Sequence, residues 1–247
     1  MTTACRAVHE IAQPFPTPGP IRLDCALAEL RRLCPRTPGA GGDCYAYVVD
    51  TIKINRTGQF CQEGSGPNWQ GGRITLCTCK HWMRTFREPK DWIGCWIAGF
   101  TSRTTDGHHW LVYLMQVQHA FVSHAELWRS GKLPKRTLTA KAATRHRLGD
   151  LFEPLNSCND EHEYSCNYYR EPVPGHSHAD KRWPDQWHKD IHYRGASGRR
   201  PALLVGDRNR SFVWSRRRIR YAGELARGQK RVDLVGLVNT ELKEGLS

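Results

Sequence analysis

No segment of this 247-residue chain approaches the roughly 18 consecutive apolar residues of a membrane-spanning helix. Residues 1–20 have neither the charged start nor the apolar middle of a secretory signal. The expectation is a cytoplasmic protein with no membrane contact. There is no Cys-x-x-Cys pair, which removes the commonest zinc and dithiol frameworks. The ten cysteines therefore read as reduced thiols, and Cys77, Cys79 and Cys95, set in apolar runs, behave as small hydrophobes. Neither a dinucleotide nor a P-loop glycine fingerprint occurs, and βαβ alternation is missing, which excludes a doubly wound nucleotide-binding fold. Serine and cysteine nucleophile signatures are missing as well. His124-Ala125-Glu126 begins a zinc-deaminase pattern, but no Pro-Cys-x-x-Cys follows it. No internal repeat is present. No cofactor and no metal is expected.

What is present centres on residues 72–117. Two apolar runs, Asp91 to Phe100 and His109 to Val117, are short and rich in β-branched and aromatic residues, and read as buried strands joined by a polar loop. Cys44 to Asp50 reads as another strand, and the glycines of residues 64–72 as turns. Ser123 with Glu126 forms a capping-box pattern that starts a helix. Leu203–Val205 and Phe212–Trp214, followed by residues 216–221, read as a hairpin. Residues 1–43 read as a Pro- and Gly-rich extension carrying one helix (Leu23, Leu27 and Leu30 on one face), residues 44–223 as the domain, and 224–247 as a tail. The long irregular stretch 148–200 reads as functional or mobile. The fold class is α+β, with a small curved sheet or an open β-barrel, a few packed helices and long loops.

Charge is uneven. The formal net charge is +13, yet residues 1–127 carry 13 basic and 10 acidic groups against 23 and 11 in residues 128–231. Arg145, Arg147, Arg208, Arg210, Arg216, Arg217, Arg218 and Arg220, with Lys141, interleave with Tyr168, Tyr169, Trp183, Trp187 and Trp214. Arginine with aromatic is the pairing that grips a nucleic-acid backbone and stacks bases, so DNA or a nucleotide is the expected partner. The plainer alternative is a solvated surface.

The strand at Tyr45–Asp50, the run Gly72-Arg73-Ile74-Thr75-Leu76-Cys77-Thr78-Cys79-Lys80, the Asp91-Trp92-Ile93-Gly94 entry and Trp110 to Val117 occur in this order. With Asn167-Tyr168-Tyr169, His176, His178 and the closing apolar pieces, that order resembles the second nucleotide modification-associated domain family over residues 44–223. The family is linked to DNA-base hypermodification systems of phages and bacteria. Two positions depart from it: Lys90 replaces a glycine, and Arg216–Arg218 replace an aromatic, glycine-containing turn, which implies a more polyanion-directed edge in this chain. A looser likeness to PUA-like barrels implies a base held between strands and a helix.

The resemblance and the chemistry of base recognition together single out Asn68, Thr75, Lys80, Arg84, Trp92, Asn167 and Tyr168 as base- or nucleotide-binding candidates at the sheet rim. Trp92 has core packing as its alternative. For catalysis, His176 or His178 is the candidate proton carrier, with Asp91 or Asp207 as partner. Three readings stand: a base-recognising nucleic-acid binder, an enzyme altering or excising a base, and a non-catalytic interaction module.

Overall fold

The computed structural model describes residues 13–14, 21–35, 42–103, 107–156, 167–173, 187–225 and 228–245. In chain order the elements are β1 (Gln13–Pro14), β2 (Arg22–Leu23), α1 (Leu27–Leu33), β3 (Asp43–Val48), β4 (Ile52–Ile54), β5 (Phe60–Gln62), β6 (Thr75–Leu76), α2 (His81–Arg84) and α3 (Pro89–Trp92). There follow β7 (Trp96–Phe100), β8 (His109–Phe121), α4 (His124–Arg129), α5 (Lys135–Lys141), α6 (Trp187–His192), β9 (Leu203–Val213), β10 (Ile219–Tyr221), β11 (Gln229–Asp233), α7 (Leu234–Gly236) and β12 (Leu242–Glu244).

The architecture is α+β. Nine strands form one sheet in the order β11-β3-β7-β8-β10-β12, with β9 also on β8 and carrying β2 and β6; β1, β5 and β4 form a second, three-stranded sheet. The long path does not close on itself, so the described strands make a branched sheet larger than the small sheet expected, and no closed barrel. Strand β8 is the spine. One edge pairs with β7, while the other pairs with β10 near His109 and with β9 from Tyr113 to Phe121. Its near-continuous apolar run is what a strand covered on both faces needs, and residues 109–115 are buried.

Two expected strands are corrected. The Asp91 end of the first apolar run is helical: Pro89 presets the first turn of α3, and Gly94 at φ +87° ends it, so the strand begins only at Trp96. The expected hairpin at residues 203–214 is a single strand, β9. Val117 pairs with Gly206 and Met115 with Ser211, so Asp207–Arg210 bulge out opposite Gln116. Asp207 Oδ1 closes the bulge by accepting from the backbone N–H of Asn209 (2.7 Å) and Arg210 (3.0 Å). The capping box forms at α4, where Ser123 Oγ accepts from Glu126 N at 2.9 Å.

The N-terminal helix packs in cis. Leu27 and Leu30 join the main core with Ile21, Cys25 and Cys34, and Arg31 donates to the carbonyls of Val238, Asn239 and Leu242. The C-terminal stretch contributes β11, β12 and buried Leu234, Leu237 and Val238.

The seven cysteines in the described residues are free, and only Cys79 among them is not buried. Burial pushes the Cys25 and Cys34 thiols up to about 12 from an ordinary 9.0, and the fully buried Cys44 and Cys77 well above it. These folded thiols keep protons that the unfolded chain releases near pH 9. Their contribution to stability is full below that pH and is lost as pH rises from about 9 towards 12. Urea unfolding under reducing conditions is therefore expected to show a stability loss beginning near pH 9. A flat profile up to pH 10.5 would contradict the buried-thiol arrangement.

Candidate nucleic-acid interface

Two residues expected to form a base pocket, Asn68 and Thr75, are joined with Lys141 and Asp150 into a buried polar knot. Asn68 bridges to Thr75 at the start of β6, and its carbonyl accepts from Thr75 N (2.8 Å) and from Lys141 Nζ (3.0 Å). Asn68 Oδ1 accepts from Lys141 Nζ at 2.6 Å, and Asn68 Nδ2 donates to Leu148 O at 2.7 Å. The Thr75 hydroxyl donates to Asp150, 2.9 Å from each carboxylate oxygen, and Cys77 N–H donates to Asp150 Oδ2 at 3.1 Å. All four side chains (Asn68, Thr75, Lys141 and Asp150) are at most 2% exposed. Burial pulls the Lys141 ammonium down to about 8 and raises the Asp150 carboxyl; each opposes the other's shift. The knot pins α5 and the turn after it to β6. It offers no donor to solvent. Lys141, expected on a basic surface, is an interior group.

Arg84 and Trp92 are also fully buried. Arg84 Nε donates to Cys79 O (2.8 Å) and Nη1 to Ala202 O (2.7 Å), tying α2 to the entry of β9. Trp92 packs 4.8 Å from the Tyr45 ring, and its indole N–H donates to Arg84 O at 3.3 Å. Trp92 therefore presents no open face. Lys80 is half-buried at φ +54°, with Nζ 4.8 Å over the Tyr47 ring, and burial lowers its pKa. Asp91 is exposed on α3, remote in sequence from the histidines it was paired with. His176 and His178 lie outside the described residues. Asn167 is exposed, and Tyr168 is half-buried against the cluster of Phe152, Tyr169 and Ile191. The distances place Asn68 and Thr75 together but do not gather Trp92, Asn167 and Tyr168 around one opening.

One pair escaped the sequence reading. His81 Nε2 lies 2.6 Å from Asp190 Oδ1, and Asp190 is buried. The His81 ring lies 5.1 Å from that of Tyr193, tilted by 32°. Nothing in the sequence signals this pair, because α2 and α6 are more than a hundred residues apart.

The arginines divide into three groups. Arg145 and Arg147 are exposed on the turn after α5, and Arg208 and Arg210 are exposed on the β9 bulge, where Arg210 donates to Gln116 Oε1 at 2.7 Å. The third group converges. Arg216, Arg217 and Arg220 line one open cleft of about 500 Å³ with Trp110, His108 and Gly58. The loop bearing Arg216 and Arg217 is fixed on three sides, and Arg220 follows it in β10. Ser215 donates to Asp24 through N–H (2.8 Å) and hydroxyl (2.5 Å), Arg217 N–H donates to Gly58 O (3.1 Å), and Gly245 N–H donates to Arg218 O (2.6 Å). Arg220 pairs with Trp110 across β10 and β8. Among the described residues, Arg216, Arg218 and Arg220 are in no ion pair, so their charge is available to an anion. Sequence order gave the arginine run; the inclusion of Trp110, His108 and the Gly58 turn came from β8 lying beside β10.

Among the described residues, no group of three or more His, Cys, Asp or Glu side chains is placed to hold a metal ion, and no helix is long and apolar enough to cross a membrane. No curated protein and no solved structure matches the chain. The sequence profile of nucleotide modification associated domain 2 matches residues 44–180, which takes in Trp110 and His108 but stops before the arginine loop. That match covers more than half of the chain, which belongs to the nucleotide modification associated domain 2 family.

Proposed function

We propose that this protein binds nucleic acid within a nucleotide-modification system, holding the phosphate backbone in the cleft between β8, β10 and the β4–β5 turn. The observation that carries the reading is the convergence of Arg216 and Arg217, on a loop whose backbone is pinned, with Arg220 of β10 beside Trp110. Fixed guanidinium groups release counterions from a polyanion without first paying to order their own loop. The buried knot at Asn68 and Thr75 favours this outer cleft over the sheet rim as the place of contact.

The test is equilibrium binding to plain and hypermodified DNA, single- and double-stranded, across a salt series. The affinity is expected to fall linearly with log salt, with a slope near 0.9 per phosphate neutralised on duplex. Preference for hypermodified DNA supports recognition of the base; equal affinity restricts the role to the backbone. Binding that is absent, or indifferent to salt, rejects the reading.

A second reading, an enzyme altering the base, draws on His81 and Asp190: a buried carboxylate against an imidazole is the arrangement that orients a proton carrier. Base release or conversion that disappears with His81→Ala, while DNA affinity persists, supports it.

A further inference from the structure

We propose that Arg217 is a preorganised phosphate fork, clamped between the Gly58 turn and the Trp110 indole, so that the cleft reads a phosphate group by shape and not by charge alone. This rests on the nucleic-acid reading above and sharpens it to one side chain and one chemical group.

The clamp is built from the sequence upward. Asn55 Oδ1 accepts from Thr57 N (3.0 Å), Thr57 Oγ1 (2.8 Å) and Gln59 N (2.9 Å), which folds the β4–β5 connection into a tight Asx-type turn. Gly58 closes that turn at φ +79°, in the left-handed region. Space is tight there as well: a Cβ on Gly58 would stand 3.0 Å from both Nε and Nη2 of Arg217, so the guanidinium would have to shift to admit it. The guanidinium thus rests directly on the glycine. The backbone repeats the contact, with Arg217 N–H donating to Gly58 O at 3.1 Å.

The other side of the clamp is Trp110, whose ring centroid is 6.0 Å from Arg217 Cζ. This indole is 7% exposed and backed by Gly245, where an added Cβ would come within 2.6 Å of the ring. An indole so fixed is a firm surface for a cation. Arg217 itself remains exposed, with Arg216 and Arg220 on the same cleft. An arginine with no neighbours loses much rotamer freedom on binding; one already in contact on two sides loses less, and its planar fork matches the oxygens of a phosphate in a way that a lysine ammonium does not.

The shared chemistry is a phosphate oxygen pair, supplied either by a polynucleotide backbone or by a free nucleotide. The experiment uses the full chain and fluorescence anisotropy with a labelled single-stranded oligonucleotide. Arg217→Lys, which keeps the charge and loses the fork, is compared with Arg217→Gln, which loses both, and circular dichroism verifies the fold of each. The clamp predicts that both variants bind about tenfold more weakly than wild type. Gly58→Ala, which displaces the guanidinium, is expected to behave alike. If Arg217→Lys retains wild-type affinity while Arg217→Gln weakens, charge alone suffices and the clamp is overturned, with the nucleic-acid reading intact. If wild type fails to bind the oligonucleotide, inorganic phosphate and a nucleoside 5′-monophosphate alike, both proposals fall. Competition by the monophosphate but not by the matching nucleoside assigns the site to a terminal phosphate, and competition only by unlabelled oligonucleotide assigns it to the backbone; either supports the fork.

Discussion

Replacing Asp150 with alanine is expected to lower the unfolding free energy by about 3–5 kcal/mol, because it strands a buried charged partner. Thr75 Oγ1 and Cys77 N–H would both lose their acceptor, and Lys141 would lose the nearby carboxylate that opposes its desolvation. The loss should depend on pH in a definite direction. Burial depresses the folded Lys141 pKa to about 8, below its unfolded value, so the ammonium destabilises the folded state while it is charged. Above that pH the lysine is neutral in both proteins, and the share of the penalty owed to its stranded charge fades. Urea unfolding of wild type and Asp150→Ala in parallel at pH 7 and pH 9 cancels the contribution of the thiols. The gap between the two is expected to narrow at pH 9. Pairing the change with Lys141→Met should restore part of the loss at pH 7, since it removes the stranded buried charge, at the smaller cost of leaving Asn68 Oδ1 without its donor. A gap below about 1 kcal/mol at pH 7 would mean that the knot is not closed in solution.

The double reversal Arg216→Glu with Arg220→Glu is expected to weaken nucleic-acid binding about a hundredfold or more at low salt. It should also flatten the salt dependence by roughly 1.8, the share of two phosphate contacts on duplex. Arg216 is exposed and Arg220 half-buried, and neither forms an ion pair among the described residues, so the fold should tolerate the change. The same reversal at Arg208 and Arg210, which stand on the β9 bulge and not in the cleft, provides the comparison. An equal loss from either pair would make the positive charge a diffuse field and remove the cleft's claim to be the site. A larger loss from the first pair locates the contact.

The element types followed from local chemistry wherever one stretch of chain held the whole signal. The run from His109 to Val117 was legible because a strand covered on both faces is apolar along its length whatever its neighbours are, whereas the half-buried continuation of β8 to Phe121 carries no such signal. The α4 cap was legible because Ser123 and Glu126 satisfy each other's segment within three residues. The strand expected at Asp91 failed on two residues whose backbone preferences were outweighed by the apolar pattern, Pro89 and Gly94. The β9 bulge was misread because Asp207 and Asn209 look like the turn of a hairpin, and only pairing with β8 shows that the chain continues in the same direction.

By itself the sequence determined the α+β class, the family and the excess of positive charge in the second half, since each is carried by residue identity and order alone. The fate of each polar side chain was decided by tertiary structure. Asn68 and Lys141 are 73 residues apart and meet inside, whereas Arg217 reaches the surface beside a tryptophan more than a hundred residues before it. A hydrogen bond or a cation on an aromatic ring needs angstrom-scale proximity, and proximity between distant residues is created only when the sheet brings their strands together.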